Sequence, residues 1–229
     1  MDIASKHVYQ ALDDKGVRTL HHANSVLTAC QFLRSKSLMS RGTVERLGIK
    51  QTEQSSDRLD KSYGIWFDVF ADSVDIHARA KRANAYAPVL FEFDSKIIEK
   101  TYTGRIWVTK LNPTKWANKS DKQRWFQDKD DLEQNFVRGQ FDQMVVLRHC
   151  GGEFPFKSYL NKIVLDDPQQ QTADRVDLYS SAYGALYLAM SDSGLDVPIE
   201  KRVCTAACQC KANYGANRAR CRELFSTRI

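Results

Sequence analysis

Residues 141–167 read FDQMVVLRHCGGEFPFKSYLNKIVLDD, and the fold turns on how this stretch is parsed. From Phe141 to Leu147 the chain is short, apolar and rich in valine, the pattern of a strand. Arg148, His149 and Cys150 lead into Gly151-Gly152, a turn signal. Ile163, Val164 and Leu165 form a second apolar run, closed by Asp166, Asp167 and Pro168. The parse is strand, loop, strand. Side chains alternate faces along a strand, so Phe141, Gln143, Val145 and Leu147 share one face and Asp142 points to the other. Gln143 is the polar member among three apolar neighbours. A polar side chain there has a hydrogen-bond partner, lies at an exposed edge or touches a ligand, and these residues by themselves leave the choice open.

Upstream of this stretch, Val17 to His22 (VRTLHH) reads as a first strand. Asn24 or Ser25 can cap the helix that follows, where Val26, Ala29, Cys30 and Leu33 recur at helical spacing up to about Lys36. Ser40-Arg41-Gly42 reads as a turn carrying a cation. Residues 43–62 are polar and read equally as a solvated loop or as a lid over a site. Ile65 to Ile76 fits a helix with Trp66, Phe70 and Val74 aligned, or a strand over Ile65 to Val69; a strand entering a helix near Asp72 satisfies both. Val89 to Asp94 (VLFEFD) is a strand with Val89, Phe91 and Phe93 facing the core, and Arg105 to Lys110 is another.

Asn112 to Arg124 is a basic loop containing Lys115 and Trp116, and Trp125 to Arg138 reads as a helix closed by Gly139. Thr172 to Ser191 reads as a helix with Val176, Tyr179, Tyr183, Tyr187 and Met190 on one side, the tyrosines expected in the core. Helices early and late with several strands between them predict a mixed α+β fold.

The 229 residues form one domain, or one domain over 1–198 with an appendage over 199–229. A hydrophobic fraction of 42% is ample for a core, and the formal charge of +6 favours polyanionic partners such as nucleic acid. No window approaches the roughly 20 apolar residues that cross a bilayer. The opening MDIASKHVYQALDD lacks a hydrophobic signal core, so the chain is expected to be cytoplasmic, with no membrane partner. Its six cysteines are then expected to be reduced or to bind metal. Four of them, Cys204, Cys208, Cys210 and Cys221, sit in the basic tail and could close a tetrahedral zinc shell. Their spacing, C-x3-C-x-C-x10-C, is not a standard zinc pattern, and free thiols are the alternative.

Three places resemble the DarT-type ADP-ribosyltransferase toxins, a branch of the diphtheria-toxin-like transferases. The first is Leu20-His21-His22-Ala23-Asn24 with the helix after it and Leu38-Met39-Ser40; the second is Ile65 to Phe70; the third is the opening stretch, 141–167. The resemblance implies an α+β ADP-ribosyltransferase-like split sheet core with flanking helices, and NAD as substrate. It implies that His22 and Asn24 hold the nicotinamide-side ribose, and that Tyr63, Trp66 and Phe67 stack near nicotinamide. Arg41 or Arg46 would pair with the diphosphate or fix the acceptor. Arg148, His149 and Glu153 would lie on the loop that presents the acceptor, with the strand held by the tail and by Lys115 and Trp116 of the basic loop.

Gln143 stands where the family places its catalytic glutamate. Either this is an inactivating Glu→Gln replacement, natural or engineered, which leaves the chain an inactive form, or Glu153 supplies the acid from the loop. The implied reaction is transfer of ADP-ribose to a base of single-stranded DNA or RNA by a toxin, in a toxin–antitoxin or phage-defence setting that requires an antitoxin partner. The rival reading is a non-enzymatic nucleic-acid-binding module with a zinc-binding tail.

Overall fold

The computed structural model describes residues 1–54, 56–79, 87–102, 104–203 and 209–227, with the backbone alone at 78, 79 and 209. The strands are β1 (Ile3–Ala4), β2 (Thr19–Asn24), β3 (Ser37–Met39), β4 (Val69–Asp72), β5 (Val89–Asp94), β6 (Arg105–Val108), β7 (Met144–Leu147), β8 (Glu153–Pro155), β9 (Leu160–Asp167) and β10 (Ile199–Val203). Eight of them form one sheet in the order β1-β6-β7-β4-β2-β5-β9-β10, and β3 pairs with β8 in a separate ribbon. Every pairing is antiparallel except β9 with β10. With helices packed around the sheet, the fold is the mixed α+β arrangement that the alternation of patterns predicts.

The two clearest sequence patterns hold. In β5, Val89, Phe91 and Phe93 are buried; Leu90 is buried as well, because this strand lies inside the sheet. The helix Val26–Ser35 buries Val26, Ala29, Cys30 and Leu33 along one stripe and stops at Lys36, whose left-handed φ of 53° ends the helical path. It packs against the helix Leu178–Ser193, where Arg34 pairs with Asp192 at 3.2 Å.

Several expectations are corrected. The run 141–147 becomes strand only from Met144, because Gln143 N–H turns back onto Gln140 O at 3.0 Å after Gly139 at φ 81°. The helix expected over 125–138 spans only Lys129–Asn135. Asp128 caps it, its carboxylate accepting from Asp131 N–H at 2.9 Å, while Trp125 stays extended and bridges Thr109. Ser40-Arg41-Gly42 opens a helix, Arg41–Arg46, with Ser40 Oγ accepting from Thr43 N–H at 3.1 Å, and a second helix, Asp57–Ser62, follows in the polar segment. Of the tyrosines expected in the core only Tyr179 packs against it: Tyr183 is 39% and Tyr187 57% exposed, and the buried face is Leu178, Ala182, Leu186, Ala189 and Met190. The small alanines let the two helices approach closely; the bulkier tyrosines at the same i, i+4 spacing are left outside.

Residues 199–203 add the edge strand β10, and Cys210, Tyr214, Cys221, Leu224 and Phe225 join the main core. Asp166, fully buried at the end of β9, fastens this region. It accepts from Arg202 Nε at 2.6 Å and from Tyr214 Oη at 3.0 Å. Its burial raises the carboxyl pKa, and the Arg202 guanidinium opposes that shift. Among the described residues, no helix is long and apolar enough to cross a membrane.

Candidate functional site

A cavity opens where β2 and β4 run side by side, floored by His22, Ala23 and Asn24 from one strand and Val69, Phe70 and Asp72 from the other. Met39, Ser40 and Arg41, where β3 passes into its helix, also line it, as do Phe141 and Met144 at the head of β7. Asp60, Ile65, Trp66 and Asp68 complete it.

His22 is fixed from the backbone. Its Nδ1 lies 2.8 Å from Phe70 O, and since a carbonyl can only accept, the proton sits on Nδ1. Burial lowers the ring's pKa, so the imidazole is neutral near pH 7. Nε2 then carries a lone pair, and it is a buried atom without a hydrogen-bond partner. Phe32 backs the ring at 5.6 Å between centroids. Asn24 is buried at the end of β2, its Oδ1 accepting from Ser25 N–H at 2.9 Å.

Arg41 is the first residue of its helix. One Nη donates to Asp57 at 2.6 Å, while Nε and the other Nη are buried without partners. Its guanidinium lies 5.6 Å from the Trp66 ring, and Lys61 Nζ lies 4.4 Å from the same ring. Trp66 Nε1–H donates to Glu45 at 2.7 Å. Gly42 makes the approach of helix and indole possible. Its N–H bonds Trp66 O at 2.8 Å, and a Cβ there would meet the Trp66 and Phe67 rings at 2.8 Å.

Three carboxylates line the cavity, Asp60, Asp68 and Asp72. Asp68 is only 8% exposed. Burial pushes its pKa up to about 7, with Arg148 opposing the shift and Asp60 adding to it. Asp60 is pushed up to about 6, again chiefly by burial. Asp68 Oδ2 and Arg148 Nε are 3.0 Å apart, yet neither makes a hydrogen bond: the N–H does not aim at the oxygen, and the contact is one of charge. Arg148 is held instead by Gly64 O at 3.2 Å and by the faces of Trp107 and Trp125, at 5.0 and 5.4 Å.

Of the residues singled out from the sequence, His22, Asn24, Arg41 and Trp66 therefore line one cavity. The others lie around it. Gln143 sits beside the wall, but its side chain is engaged elsewhere: Oε1 accepts from Val137 N–H at 2.7 Å and Nε2 donates to Asn135 O at 3.3 Å. Glu153 is exposed on the β3–β8 ribbon, opposite Met39. Arg46 reaches the exposed Phe67 ring at 5.9 Å, outside the cavity lining. Tyr63 packs on Trp116 at 5.5 Å, and Trp116 is buried, its Nε1–H bonded to Leu111 O at 2.7 Å. An indole buried this deeply cannot reach a nucleic-acid strand, which corrects the expectation that Trp116 helps to hold one. Lys115 pairs with Asp142 at 2.8 Å, and Arg148 is packed inward, not presented on the loop; His149 is exposed, at φ 56°.

The tail cysteines do not form the expected set within the described residues. Cys204 and Cys208 lie outside them. Cys221 is buried in the core, its thiol pushed up to about 11 by that burial, and Cys210 lies 3.8 Å from His77 Nδ1. Among the described residues, no group of three or more His, Cys, Asp and Glu side chains is placed to hold a metal ion.

The sequence reading missed Asp60, Asp68 and Asp72. For Asp68 the signal was present: it is the one charged residue inside Ile65 to Phe70, IWFDVF. No family model matches this chain, and no curated protein does. Among solved structures it is similar to Thermus sp. 2.9 DarT in complex with NAD+, at 10% identity and a TM-score of 0.49, over 81% of this chain and 96% of that chain.

Proposed function

We propose that the cavity binds NAD as a substrate and that the protein transfers its ADP-ribose to a base of single-stranded nucleic acid. The observation that carries this reading is the pair of unmet hydrogen-bonding groups on the cavity walls. His22 offers a buried acceptor at Nε2, and Arg41 offers two buried donors, Nε and one Nη. Buried polar atoms left without partners are costly, so a ligand that supplies a hydroxyl donor to one and anionic oxygens to the other is favoured. A ribose joined to a diphosphate is such a ligand: its hydroxyl donates to His22 and its phosphate oxygens accept from the Arg41 guanidinium. Trp66 lines the same cavity beside Arg41, so an aromatic ring borders the space a nicotinamide would enter. The net charge of +6 suits a polyanionic acceptor. An activity of this kind damages the cell that makes it, which is why a toxin restrained by an antitoxin is the setting we propose.

Calorimetry with NAD, followed by NAD-dependent labelling of single-stranded DNA and RNA oligonucleotides, tests the reading. Saturable heat is expected in the wild type, weakened about tenfold or more by His22→Ala and by Arg41→Ala. Absence of heat with NAD would overturn it. A second reading has its own support. The exposed Tyr183 and Tyr187 rings stack at 6.4 Å and continue to Tyr179, a ladder on which bases of a single strand could rest without any catalysis. That reading predicts salt-dependent oligonucleotide binding with no NAD heat.

A further inference from the structure

We infer that Asp68 supplies the carboxylate of the transfer reaction, with Arg148 as its positioning residue; the inference rests on the NAD reading above. Transfer breaks the bond between nicotinamide N1 and ribose C1′, and its electron pair returns to the nicotinamide ring. A nitrogen of the acceptor base forms the new bond to C1′, and the proton on that nitrogen has to leave. Between the two events positive charge builds on the ribose. A carboxylate at that point stabilises the charge and accepts the proton.

Position 143 cannot do this. An amide carries no charge, and both ends of the Gln143 side chain are occupied by backbone atoms of residues 135 and 137. Asp68 meets the requirement from another direction. It lines the cavity, it is buried, and its Oδ2 has no hydrogen-bond partner. It stands two residues before Phe70, whose carbonyl orients His22, so the carboxylate and the group that fixes the ribose acceptor belong to the same short segment. Asp72 also lines the cavity, but its carboxylate oxygens are not among the buried atoms left without a hydrogen-bond partner.

The charged and titratable groups facing Asp68 are Arg148 and Asp60, with Tyr102 and Cys150 in electrostatic reach. Arg148 keeps the carboxyl ionisable in spite of its burial. Clamped by Gly64 O and two indole faces, its guanidinium has little freedom to turn toward the carboxylate and saturate it. With its pKa near 7, Asp68 is divided between acid and base at neutral pH, the condition under which a proton acceptor is most effective.

The test measures NAD binding by calorimetry and nicotinamide release with an oligonucleotide present. Release is the readout because it reports cleavage of the C1′ bond whatever accepts the ribose. Asp68→Asn is expected to hold NAD within about threefold of wild type while release falls about 100-fold or more. Asp68→Glu is expected to recover part of the loss. The wild-type rate is expected to rise with pH through a midpoint near 7, and Arg148→Lys to move that midpoint. The inference is overturned if Asp68→Asn releases nicotinamide like the wild type. It is also overturned if Gln143→Glu restores release to Asp68→Asn, or if the wild type binds NAD and releases none. If the wild type does not bind NAD, the functional reading itself has failed and the inference goes with it.

Discussion

Asp68 and Gln143 present the same pattern in sequence and opposite situations in the fold. Each is a polar side chain interrupting an apolar run, one within Ile65 to Phe70 and the other within Phe141 to Leu147. Gln143 falls beside the end of the helix Lys129–Asn135, where the last carbonyls and the N–H groups beyond them need partners. Its amide supplies both a donor and an acceptor there, to Asn135 O and Val137 N–H, and is consumed. Asp68 meets no such backbone. It faces a cavity and a guanidinium that pairs with it by charge alone, and its Oδ2 accepts no hydrogen bond. A polar residue in an apolar run thus announces a bond to be made, and the neighbouring element decides whether backbone or ligand makes it.

The contrast depends first on the cavity wall. Gly152 has φ 78°, and a Cβ there would lie 2.1 Å from Thr43 Oγ1 and 2.7 Å from Ser40 Oγ, the cap of the helix that carries Arg41. Gly152→Ala is expected to cost on the order of 4 kcal/mol, from the left-handed backbone and the overpacked cap together, read as a lower urea midpoint. NAD affinity should fall with it.

Asp68→Asn addresses the acid side. The carboxyl pKa is near 3.8 in an unfolded chain and about 7 in the folded protein, so between those values the folded state holds more protons than the unfolded state. Wild-type stability is therefore expected to fall as pH rises from about 4 to about 7, by up to about 4 kcal/mol, whereas Asp68→Asn removes this contribution. Urea titrations of both proteins at acid and mildly alkaline pH check it. A difference between them that does not grow with pH would place the carboxyl in contact with water.

Gln143→Ala addresses the amide side. It strips two partly exposed hydrogen bonds from the helix end and should cost about 1 kcal/mol, equally at every pH, because nothing there titrates. Amide exchange at Val137 should rise. Glu153→Gln is the smallest change expected, within about 0.5 kcal/mol of wild type, since that side chain is exposed. A larger effect of Glu153→Gln on nicotinamide release than of Asp68→Asn would return the acid to the ribbon.

Much of the framework was legible from local signals. β5 could be read from VLFEFD, and the helix Val26–Ser35 from its apolar spacing and its stop at Lys36, because burial on one face imposes a period on the residues themselves. Four residues singled out from a family resemblance and not from spacing, His22, Asn24, Arg41 and Trp66, line one cavity. The tyrosine face of the helix Leu178–Ser193 was misjudged because alanine and tyrosine recur there at the same helical interval. Periodicity identifies that two faces exist; close packing against a second helix selects the smaller one.

The amino-acid sequence by itself determined where strands and helices could form, that the core would be mixed α+β, and that polar side chains interrupt apolar runs at 143 and at 68. Only the tertiary structure decided what those side chains meet. The strand order brings β2 beside β4 and β4 beside β7, so residues more than 100 positions apart share one cavity. Hydrogen-bond satisfaction and desolvation are set by neighbours in space: those of Gln143 come from the helix end just before it, at 135 and 137, whereas the guanidinium beside Asp68 comes from Arg148, far along the chain.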